Sequence, residues 1–363
     1  MALVRRFPTA TETEAIIDFF KENWGAQHLM ARRPEFLAWQ FSNDRNPLSD
    51  TGGISALTVW DGARLVGMQG LIYTDFSVRG ENMPGVWLCN LMAAPDYKSK
   101  GVGVLLMDGV HRIGAKVIAT SGINPELYPF YKKLRYICCD ALPRYIRIPD
   151  AGRFRTLTGL AADVLPAPGI VAPQHVTQEE RFGPDWDAFF NRHVAGDAYI
   201  GVKRDAEYMN WRYAEHPDFN YRILACRDGK TLRGALVYRM ERVRDKEDCV
   251  MRIVEFYAAS EKEALQLARA ADRVACDESA CFIDFYALNF SHVSALAQAG
   301  WYTDAKTTPD IFAGTPSLFQ PLDLQPRDVR SALRILDPAY TQETSLQDNL
   351  CITRADGDQD RPN

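Results

Sequence analysis

The chain has 363 residues, which at about 150 residues per domain predicts two domains. Hydrophobic residues make up 47% of the chain and charged residues 25%, values that exclude wholesale disorder. The 47 acidic residues outnumber the 42 basic ones, so we expect no nucleic acid as the main ligand, because phosphate backbones bind basic surfaces. No window approaches the roughly 18 uninterrupted apolar residues of a membrane span, and residues 1–14 have no apolar run of signal-peptide length. We therefore expect a cytoplasmic protein that does not bind membranes.

The eight cysteines are scattered along the chain and form no Cys-x-x-Cys pair. Cys276 and Cys281 lie five positions apart, with no matching pair elsewhere in the sequence. Most of the others stand in apolar runs, as small buried thiols do in proteins of reducing compartments. We expect no metal site, because structural zinc requires paired ligands at short spacing.

In chain order, one series of elements is predicted twice. Each series begins with the end of an amphipathic helix that carries an aromatic pair, over 36–41 and again over 208–213. An Asp-Gly hairpin follows each helix, at Asp61 and at Asp228, and Asp-Gly between strand-like runs is a strong hairpin signal. A buried strand, a helix and a second strand complete each series. Their predicted ranges are 86–94, 102–115 and 117–123 in the first series, and 250–259, 261–276 and 281–288 in the second.

The two series keep the same register. Each second strand ends in an asparagine, Asn124 or Asn289. Asn90 stands 34 residues before Asn124, and Glu255, at the equivalent place, stands 34 residues before Asn289. The sequence therefore predicts two copies of one α+β unit.

The two copies set the predicted domain bounds. The first copy covers 1–150, a connector rich in Ala, Pro and Gly covers 151–180, and the second copy covers 181–325. The remaining tail, 326–363, carries one predicted helix over 327–336. The tail ends in an acidic run that we expect to be frayed.

The most informative segment joins the strand that ends near Pro95 to the next helix. Glycine lets a backbone approach a ligand closely, and the first turn of a helix has unpaired N–H groups with partial positive charge. Two lysines add positive charge, so the segment predicts an anion-binding loop, with a simple packing turn as the alternative. The central run is Lys98-Ser99-Lys100-Gly101-Val102-Gly103.

The order of these motifs resembles that of the GNAT N-acetyltransferase superfamily. The shared order is strand, Pro, basic residue-x-x-Gly-x-Gly, helix, strand, Asn, and then Phe-Tyr-x-Lys-x-x-aromatic. The family's phosphate loop reads Arg/Gln-x-x-Gly-x-Gly/Ala, and Lys98 stands here at its first position. The resemblance covers 1–150 well and 181–305 only in topology and repeat register.

The family's closing motif is an Asn followed by Tyr-x-Lys-x-Gly-Phe. Asn124, Tyr131, Lys133 and Tyr136 match it, and Arg135 replaces the usual glycine. The resemblance implies an α+β fold of two tandem GNAT-like domains, each a mostly antiparallel twisted sheet flanked by helices.

The cofactor that the resemblance implies is an acyl-CoA, either acetyl-CoA or another short acyl-CoA, as co-substrate. Its pyrophosphate would bind the N–H groups from Lys100 to Val104, and its pantetheine arm would pair with the preceding strand. A backbone N–H of Leu91 or Met92 would stabilise the oxyanion. The implied cofactor-binding residues are Leu91, Met92, Ala93, Lys98, Lys100, Gly101, Val102, Gly103, Val104 and Asn124.

Tyr131, at the matched tyrosine position, is the expected general acid. Attack by an amine releases a thiolate, and a phenol of pKa near 10 can donate a hydrogen bond or a proton to it. The alternative is an aromatic core residue on a helix predicted over 129–134, although Phe130 could fill that packing role.

The general base stays open. Many family members carry a carboxylate on the strand ahead of the phosphate loop, but Asn90 stands at that position here and cannot accept a proton. An ordered water, a group from the second copy or an amine of lowered pKa are the options. Glu255 and His216 are candidate substrate-site residues. The alternatives are a carboxylate paired with Arg252 or another basic group, and a histidine of a surface loop.

The second copy lacks the parts that carry chemistry. Its strand–helix junction has no Gly-x-Gly, and acidic Glu261 and Glu263 stand where an anion would bind. Leu296 stands at the tyrosine position, whereas Asn289 and Trp301 remain. We expect one acyl-CoA site, in the first copy. The second copy would be a scaffold, shape the acceptor cleft or mediate a homodimer.

Four aromatic residues at the ends of the matched helices either line an acceptor pocket or anchor the core. They are Trp39, Phe41, Trp211 and Tyr213.

The resemblance extends to a functional hypothesis. Tandem members of about this length with one working CoA site include the N-acyltransferases of nucleotide-linked amino sugars for surface polysaccharide. We therefore expect acyl transfer from acyl-CoA to the amino group of a small polar acceptor, with a nucleotide-linked amino sugar as the leading candidate. The alternatives are a transferase that uses aminoacyl-tRNA, a peptide or a small amine, and a module that binds acyl-CoA without turnover.

Overall fold

The computed structural model describes residues 3–42, 44, 51–160, 172–319, 322–325, 327–340 and 344–360. The chain divides into two compact units. The first unit contains Met1–Cys139, Arg330–Gln347 and Asp356–Asn363, and the second contains Asp140–Val329 and Asp348–Ala355. The segment after residue 329 therefore contributes to both units.

The strands of the two units are short except for the long central hairpins. In chain order they are β1 (Val4–Arg6), β2 (Ala56–Asp61), β3 (Arg64–Val78), β4 (Glu81–Ala93), β5 (Val117–Ser121), β6 (Ile137–Cys139), β7 (Arg144–Arg147), β8 (Val176–Glu179), β9 (Ile200–Val202), β10 (Arg222–Asp228), β11 (Thr231–Arg242), β12 (Cys249–Ala258), β13 (Ile283–Tyr286), β14 (Leu318–Phe319), β15 (Leu322–Asp323) and β16 (Ser331–Ile335).

The helices lie between these strands. They are α1 (Thr13–Trp24), α2 (Leu29–Arg32), α3 (Pro34–Gln40), α4 (Val102–Val110), α5 (Tyr128–Lys133), α6 (Ala151–Thr158), α7 (Pro184–His193), α8 (Ala206–Met209), α9 (Glu261–Asp277), α10 (Val293–Gln298) and α11 (Pro309–Gly314). A π-helical turn over Asn210–Ala214 continues α8. Short 3-10 turns occupy Ala10–Glu12, Pro95–Tyr97, Pro338–Tyr340 and Thr344–Asn349.

The sheet of the first unit runs in the order β1-β2-β3-β4-β5-β16-β6. Its neighbouring strands are antiparallel except β4 and β5, which are parallel. Helix α4 packs on β2 and β3, and a Cβ at Gly67 would lie 2.2 Å from Val102 Cγ1. Glycine is required at this position because the helix approaches the strand so closely.

The sheet of the second unit repeats this arrangement. Its order is β8-β10-β11-β12-β13-β7, and only β12 and β13 are parallel. In the first unit Val86 pairs with Ile118, and in the second unit Met251 pairs with Ile283. Each residue of the second pair stands 165 positions after its counterpart in the first pair. The predicted mixed α and β class, with antiparallel-dominated sheets and flanking helices, is confirmed.

The predicted hairpins and central elements form close to the expected bounds. Asp61 pairs with Arg64 around Gly62, and Asp228 pairs with Thr231 around Gly229. Both glycines have positive φ, +61° and +57°, which explains the Asp-Gly sequence. The helix predicted over 102–115 is shorter and ends at Val110.

The helix predicted over 327–336 is wrong, because this segment forms β16. Strand β16 lies between β5 and β6 and pairs with both. All of its residues except Arg334 are buried. Two flanking strands bind its backbone groups, and this pairing outweighs local helix propensity.

The acidic end of the chain is not frayed over the part that the structure describes. Asp356, Asp358 and Asp360 are buried in the first unit, with exposures of 1%, 5% and 1%. A Cβ at Gly357 would lie 3.4 Å from the Trp87 ring, so the segment packs on β4. Packing against the sheet therefore orders a segment whose composition is typical of solvent-exposed tails.

Within the described ranges, no helix has both the length and the apolar character needed to cross a bilayer. Among the same residues, no cluster of three or more His, Cys, Asp or Glu side chains could hold a metal ion.

Candidate active site

The candidate site lies where the two parallel strands of the first unit part. Strands β4 and β5 pair as far as Leu88 and Thr120, after which β4 continues to Ala93 and β5 ends at Ser121. Parallel strands that end at different heights leave a cleft at their carboxyl ends, a common location for ligand sites.

A β-bulge shapes β4 beside this cleft. The pairing of β3 with β4 moves from Gly70–Cys89 to Met68–Met92, so that Asn90 and Leu91 together oppose Gln69. Asn90 has a φ of +55°, a left-handed conformation that asparagine tolerates better than most residues. The oxyanion donor was expected at Leu91 or Met92; Leu91 lies in the bulge, where one residue has no partner across the ladder, and Met92 pairs with Met68.

The cleft opens into a cavity of about 470 Å³. Six of the sequence-predicted site residues line it, namely Leu91, Met92, Ala93, Lys98, Asn124 and Tyr131. The other lining residues are Asn23, Trp24, Gln69, Leu88, Cys89, Asn90, Pro95, Thr120, Ser121, Gly122, Ile123, Leu127, Asp358 and Gln359. The cavity thus joins β4, β5 and the start of the anion-binding loop to the C-terminal segment.

The strand–helix loop borders this cavity at Lys98, whereas the predicted site residues from Lys100 to Val104 are not among the residues that line it. Gly101 precedes α4 with a φ of +78°, and the Leu105 N–H donates to its carbonyl at 2.9 Å. The Lys100 N–H, expected to bind phosphate, instead donates to Tyr97 O at 3.0 Å. Among the described residues, no backbone carbonyl accepts from the N–H groups of 101–104. These four donors can bind an anion.

Gly103 has no packing reason to be glycine. Its φ is not positive, and a Cβ placed on it would meet no atom within 4 Å. Glycine inside a helix costs up to about 1 kcal/mol relative to alanine. The open space beside Gly103 is what close approach of a ligand to the helix start requires.

The basic residues of the loop are held differently. Lys100 lies over the Tyr97 ring, with Nζ 3.8 Å from the ring centroid. Tyr97 in turn donates from its hydroxyl to Asp61 Oδ2 at 2.6 Å, which fixes the ring. Lys98 is exposed and has no ion-pair partner in the described ranges. Lys98 is therefore available to an anionic ligand.

Tyr131 lies on α5 with its side chain in the cavity wall, 4% exposed. Burial raises the pKa of its hydroxyl to about 12, although a hydrogen bond with Thr120 opposes the shift. The rings of Tyr131 and Tyr136 meet edge to face at 5.2 Å. At neutral pH Tyr131 is therefore a neutral, oriented O–H donor.

Asn124 has a local structural role as well as its place in the cavity wall. Its side-chain Oδ1 accepts from the Glu126 N–H at 2.9 Å, and its carbonyl accepts from Leu127 and Tyr128. These bonds turn the chain from β5 into α5 and so position Tyr131.

The inner end of the cavity contains a carboxylate that the sequence analysis missed. Asp358 accepts a hydrogen bond from Asn90 Nδ2 at 3.1 Å and another from Gln359 Nε2 at 3.0 Å. A Cβ at Gly122 would lie 2.1 Å from Gln359 Oε1, so this side chain covers the end of β5. No sequence signal points to this contact, because an acidic C-terminal run is typical of solvated tails.

Glu255 lies in the second unit, in a closed polar network. Its carboxylate accepts from Arg204 Nε and the Tyr213 hydroxyl, both at 2.7 Å, and from the Tyr257 hydroxyl at 2.9 Å. Glu255 is 1% exposed and Arg204 fully buried. The partner of Glu255 is thus Arg204, whereas Arg252 pairs with Asp284.

Neither His216 nor any of the four helix-end aromatic residues is among the described residues that line the cavity of the first unit. His216 Nδ1 accepts from the N–H groups of Asp218 and Phe219, at 3.1 and 2.9 Å, and its ring stacks on Phe219. These contacts make His216 a turn-capping residue. The four aromatics have separate contacts: Trp39 with Phe36, Phe41 with Gly70, Trp211 with Tyr208, and Tyr213 with Tyr221.

The second unit has a corresponding cavity of about 560 Å³, which Ala258 and Ala259 line directly before the start of α9. Ser260 caps α9, accepting from the Lys262 N–H at 3.2 Å, and Glu261 and Glu263 lie in the first turn. His292 Nε2 lies 3.0 Å from the carbonyl of Ala258, at the end of β12. Two acidic side chains at this helix start disfavour a phosphate.

Comparison with known proteins agrees with this geometry. The chain matches no family model, and no protein of curated function matches it in sequence. A GCN5-related N-acetyltransferase from Kribbella flavida is 19% identical with a TM-score of 0.53, over 93% of this chain and 72% of that one. A GCN5-related N-acetyltransferase from Anabaena variabilis is 12% identical with a TM-score of 0.57, over 93% and 73%. The N-myristoyltransferase of Saccharomyces cerevisiae, solved with bound myristoyl-CoA, is 10% identical with a TM-score of 0.53, over 91% and 77%. The chain therefore has the fold of the GCN5-related N-acetyltransferases.

Proposed function

We propose that this protein is an N-acyltransferase that moves an acyl group from acyl-CoA to an amine. One observation carries the proposal: a cavity bordered by an anion-binding loop also contains a buried tyrosine. Lys98 and Tyr131 line the same cavity. Gly103, which has open space beside it, stands five residues after Lys98 in the chain.

The residues present fit an acyl-CoA. The N–H groups of 101–104 and the side chain of Lys98 would bind its pyrophosphate, and the backbone from Leu91 to Ala93 would bind its pantetheine arm. The bound thioester supplies the electrophilic carbonyl. Tyr131 donates to the leaving sulfur, and the N–H outside the ladder at the bulge stabilises the oxyanion.

For the acceptor we propose the amino group of a small polar molecule, and a nucleotide-linked amino sugar as the first class to test. The polar character of the inner cavity wall supports such an acceptor. Amide and hydroxyl side chains line it at Asn23, Gln69, Asn90, Thr120 and Ser121. We propose acetyl-CoA or another short acyl-CoA as the donor.

We further propose that the first unit holds the one acyl-CoA site. The capped and acidic start of α9 supports this, as does the contact of His292 with the Ala258 carbonyl. Leu296 also stands where a tyrosine would be needed.

The proposal is tested by following thiol release from acetyl-CoA with a panel of dTDP- and UDP-linked amino sugars and simpler amines. We expect turnover by the wild type and its loss in Gly103→Glu, because a carboxylate would occupy the anion site. Gly196→Glu is the matched control in the second unit, since its Cβ also meets no atom within 4 Å. The control should keep full activity.

Two results would contradict the proposal. CoA binding without thiol release from any amine would favour an acyl-CoA-binding module. Equal loss of activity in Gly103→Glu and Gly196→Glu would contradict a single acyl-CoA site in the first unit.

A further inference from the structure

At the inner end of the cavity in the first unit, two side-chain amides donate their N–H groups to other protein groups. Their carbonyl oxygens remain as hydrogen-bond acceptors. Gln69 is 1% exposed, and its Nε2 donates to the carbonyls of Cys89 at 2.7 Å and Gly70 at 3.2 Å. These two bonds fix the orientation of the amide. Its Oε1 is buried and has no hydrogen-bond partner among the described residues.

Asn90 repeats this arrangement on the neighbouring strand. It is 7% exposed, and its Nδ2 donates to Asp358 Oδ2 at 3.1 Å. Its Oδ1 is buried and likewise lacks a partner in the part of the chain that the structure describes. Because Gln69 lies opposite the bulge at Asn90, both amides belong to the same region of the cavity wall.

Asp358 adds a carboxylate to the two amide oxygens. It is 5% exposed, lines the same cavity, and is held by Asn90 and Gln359. The inner wall thus combines two unsatisfied carbonyl oxygens with one carboxylate. The two amide oxygens, which are buried and without a donor among the described residues, require a donor from a ligand.

The chemistry of the three acceptors selects one class of ligand group. A primary ammonium has three N–H donors and no acceptor, and it carries the charge that a carboxylate attracts. A hydroxyl has one donor, and a carboxylate or phosphate has none and would be repelled by Asp358. A trimethylammonium group carries the charge but no N–H.

We propose that the acceptor enters this cavity as a primary ammonium ion, bound by Gln69 Oε1, Asn90 Oδ1 and Asp358, and that Asp358 is the general base. This inference rests on the proposed acyl transfer. Asp358 would supply, from the C-terminal segment, the carboxylate that the sequence lacks at Asn90. Asn90 is then a positioning residue for Asp358 as well as an acceptor.

The proton balance follows from these roles. Asp358 takes one proton from the ammonium, and the nitrogen lone pair attacks the thioester carbonyl to form a C–N bond. When the C–S bond breaks, the sulfur receives the hydroxyl proton of Tyr131, and the second nitrogen proton restores the phenol. The third proton stays on the amide, and Asp358 releases its proton to solvent.

The first test compares Asp358→Asn with Asp75→Asn, an exposed carboxylate on β3 outside the cavity. The substrate is whichever of glucosamine, ethanolamine, tyramine, spermidine or the amino sugars above gives the highest kcat/KM with the wild type. We expect Asp358→Asn to lower kcat about 100-fold or more, with the Kd for CoA unchanged, and Asp75→Asn to match the wild type. At pH values near the pKa of the amine, where it arrives deprotonated, Asp358→Asn should recover much of the lost rate.

The second test addresses the ammonium class. Binding is compared in the presence of desulfo-CoA, which cannot transfer an acyl group. The hydroxyl and trimethylammonium analogues of the chosen amine should bind at least about 10-fold more weakly than the amine itself. Gln69→Leu and Asn90→Gly should remove this difference, and glycine accepts the positive φ at position 90 without strain.

The outcomes separate this inference from the proposed function. Two results would overturn the inference alone. One is a rate of thiol release that Asp358→Asn leaves unchanged at every pH, and the other is a trimethylammonium analogue that binds as tightly as the amine. No thiol release from the wild type with any amine would overturn the proposed function and the inference with it. If Asp358→Asn fails to bind CoA, the Gln69→Leu and Asn90→Gly comparison decides the question.

Discussion

Asn90 and Asp358 are joined by a hydrogen bond of 3.1 Å although 268 positions separate them in the chain. The bond links the bulge of a central strand to the last described segment of the protein. It brings a carboxylate into a cavity that the strand by itself lines only with an amide. The C-terminal segment is therefore part of the candidate active site.

Removing this segment should destabilise the first unit. A chain that ends at Ala355 exposes the Trp87 face on which Gly357 packs and leaves the Asn90 amide without its partner. We expect the free energy of unfolding to fall by about 2–4 kcal/mol, measured by urea denaturation. A chain that ends at Asp360 is the control and should keep wild-type stability. Equal stability of the two truncations would mean that the segment does not pack as described.

Gly103→Ala should separate stability from ligand binding. The added Cβ meets no atom within 4 Å and the backbone φ is ordinary, so alanine should raise the free energy of unfolding by about 0.5–1 kcal/mol. A single methyl group is small, so the Kd for CoA, measured by calorimetry, should stay close to that of the wild type, whereas the carboxylate of Gly103→Glu should raise it. Gly67→Ala is the contrasting variant, because its Cβ would lie 2.2 Å from Val102 and should destabilise the fold. Equal CoA binding by Gly103→Glu and the wild type would argue against an anion site there.

Tyr131→Phe should lower kcat by about 10²–10⁴-fold while the Kd for CoA stays close to that of the wild type. The reason is that the proposed role of the hydroxyl is to donate to the leaving sulfur, and the variant loses it but keeps the ring that packs on Tyr136. Phe130→Leu, on the same helix, is the control and should change kcat little. A rate unaffected by Tyr131→Phe would assign Tyr131 to the core.

Arg135→Gly should stabilise the protein. Arg135 is exposed and has a φ of +60° directly after α5, at the place where Gly300 has a φ of +81° after α10. A left-handed conformation costs a residue with a Cβ about 1 kcal/mol, and glycine avoids that cost. We expect a gain of about 0.5–1 kcal/mol in urea unfolding and a loss of similar size for Gly300→Ala. A destabilised Arg135→Gly variant would mean that the arginine side chain makes a stronger contribution than the backbone strain.

The buried carboxylate of Asp284 should make stability depend on acid pH. Burial opposes its ionisation, but Arg252 and Arg144 outweigh burial and lower the pKa of Asp284 to about 2. A carboxyl whose pKa is depressed in the folded state stabilises the protein above its unfolded pKa, near 4, and this contribution is lost as pH falls towards 2. We expect a loss of about 2 kcal/mol over that window for this group. Asp284→Asn should be less stable at neutral pH and should lack this part of the acid dependence, as followed by urea unfolding at several pH values.

The sequence alone determined the elements whose signals are local. Asp-Gly at 61 and 228 specified hairpins because both turns require a positive φ at the glycine. The glycines after Pro95 specified a loop that leads into a helix, for which we propose anion binding, and the shared 34-residue spacing specified a common register for two sheets. These features depend on backbone conformation and periodicity, which nearby residues control.

Only the tertiary structure decided which distant residues meet. Residues 331–335 form a strand because β5 and β6 bind both of its edges, and Asp358 is buried because the segment packs on β4. Glu255, a candidate from the sequence, is instead held by Arg204 and two tyrosines. The composition of the acidic C-terminal run predicted that it is exposed to solvent, because charged side chains reduce the free energy gained by burying a segment. The hydrogen bond to Asn90 and the packing against Trp87 reverse that preference, and no local signal encodes a contact across 268 positions.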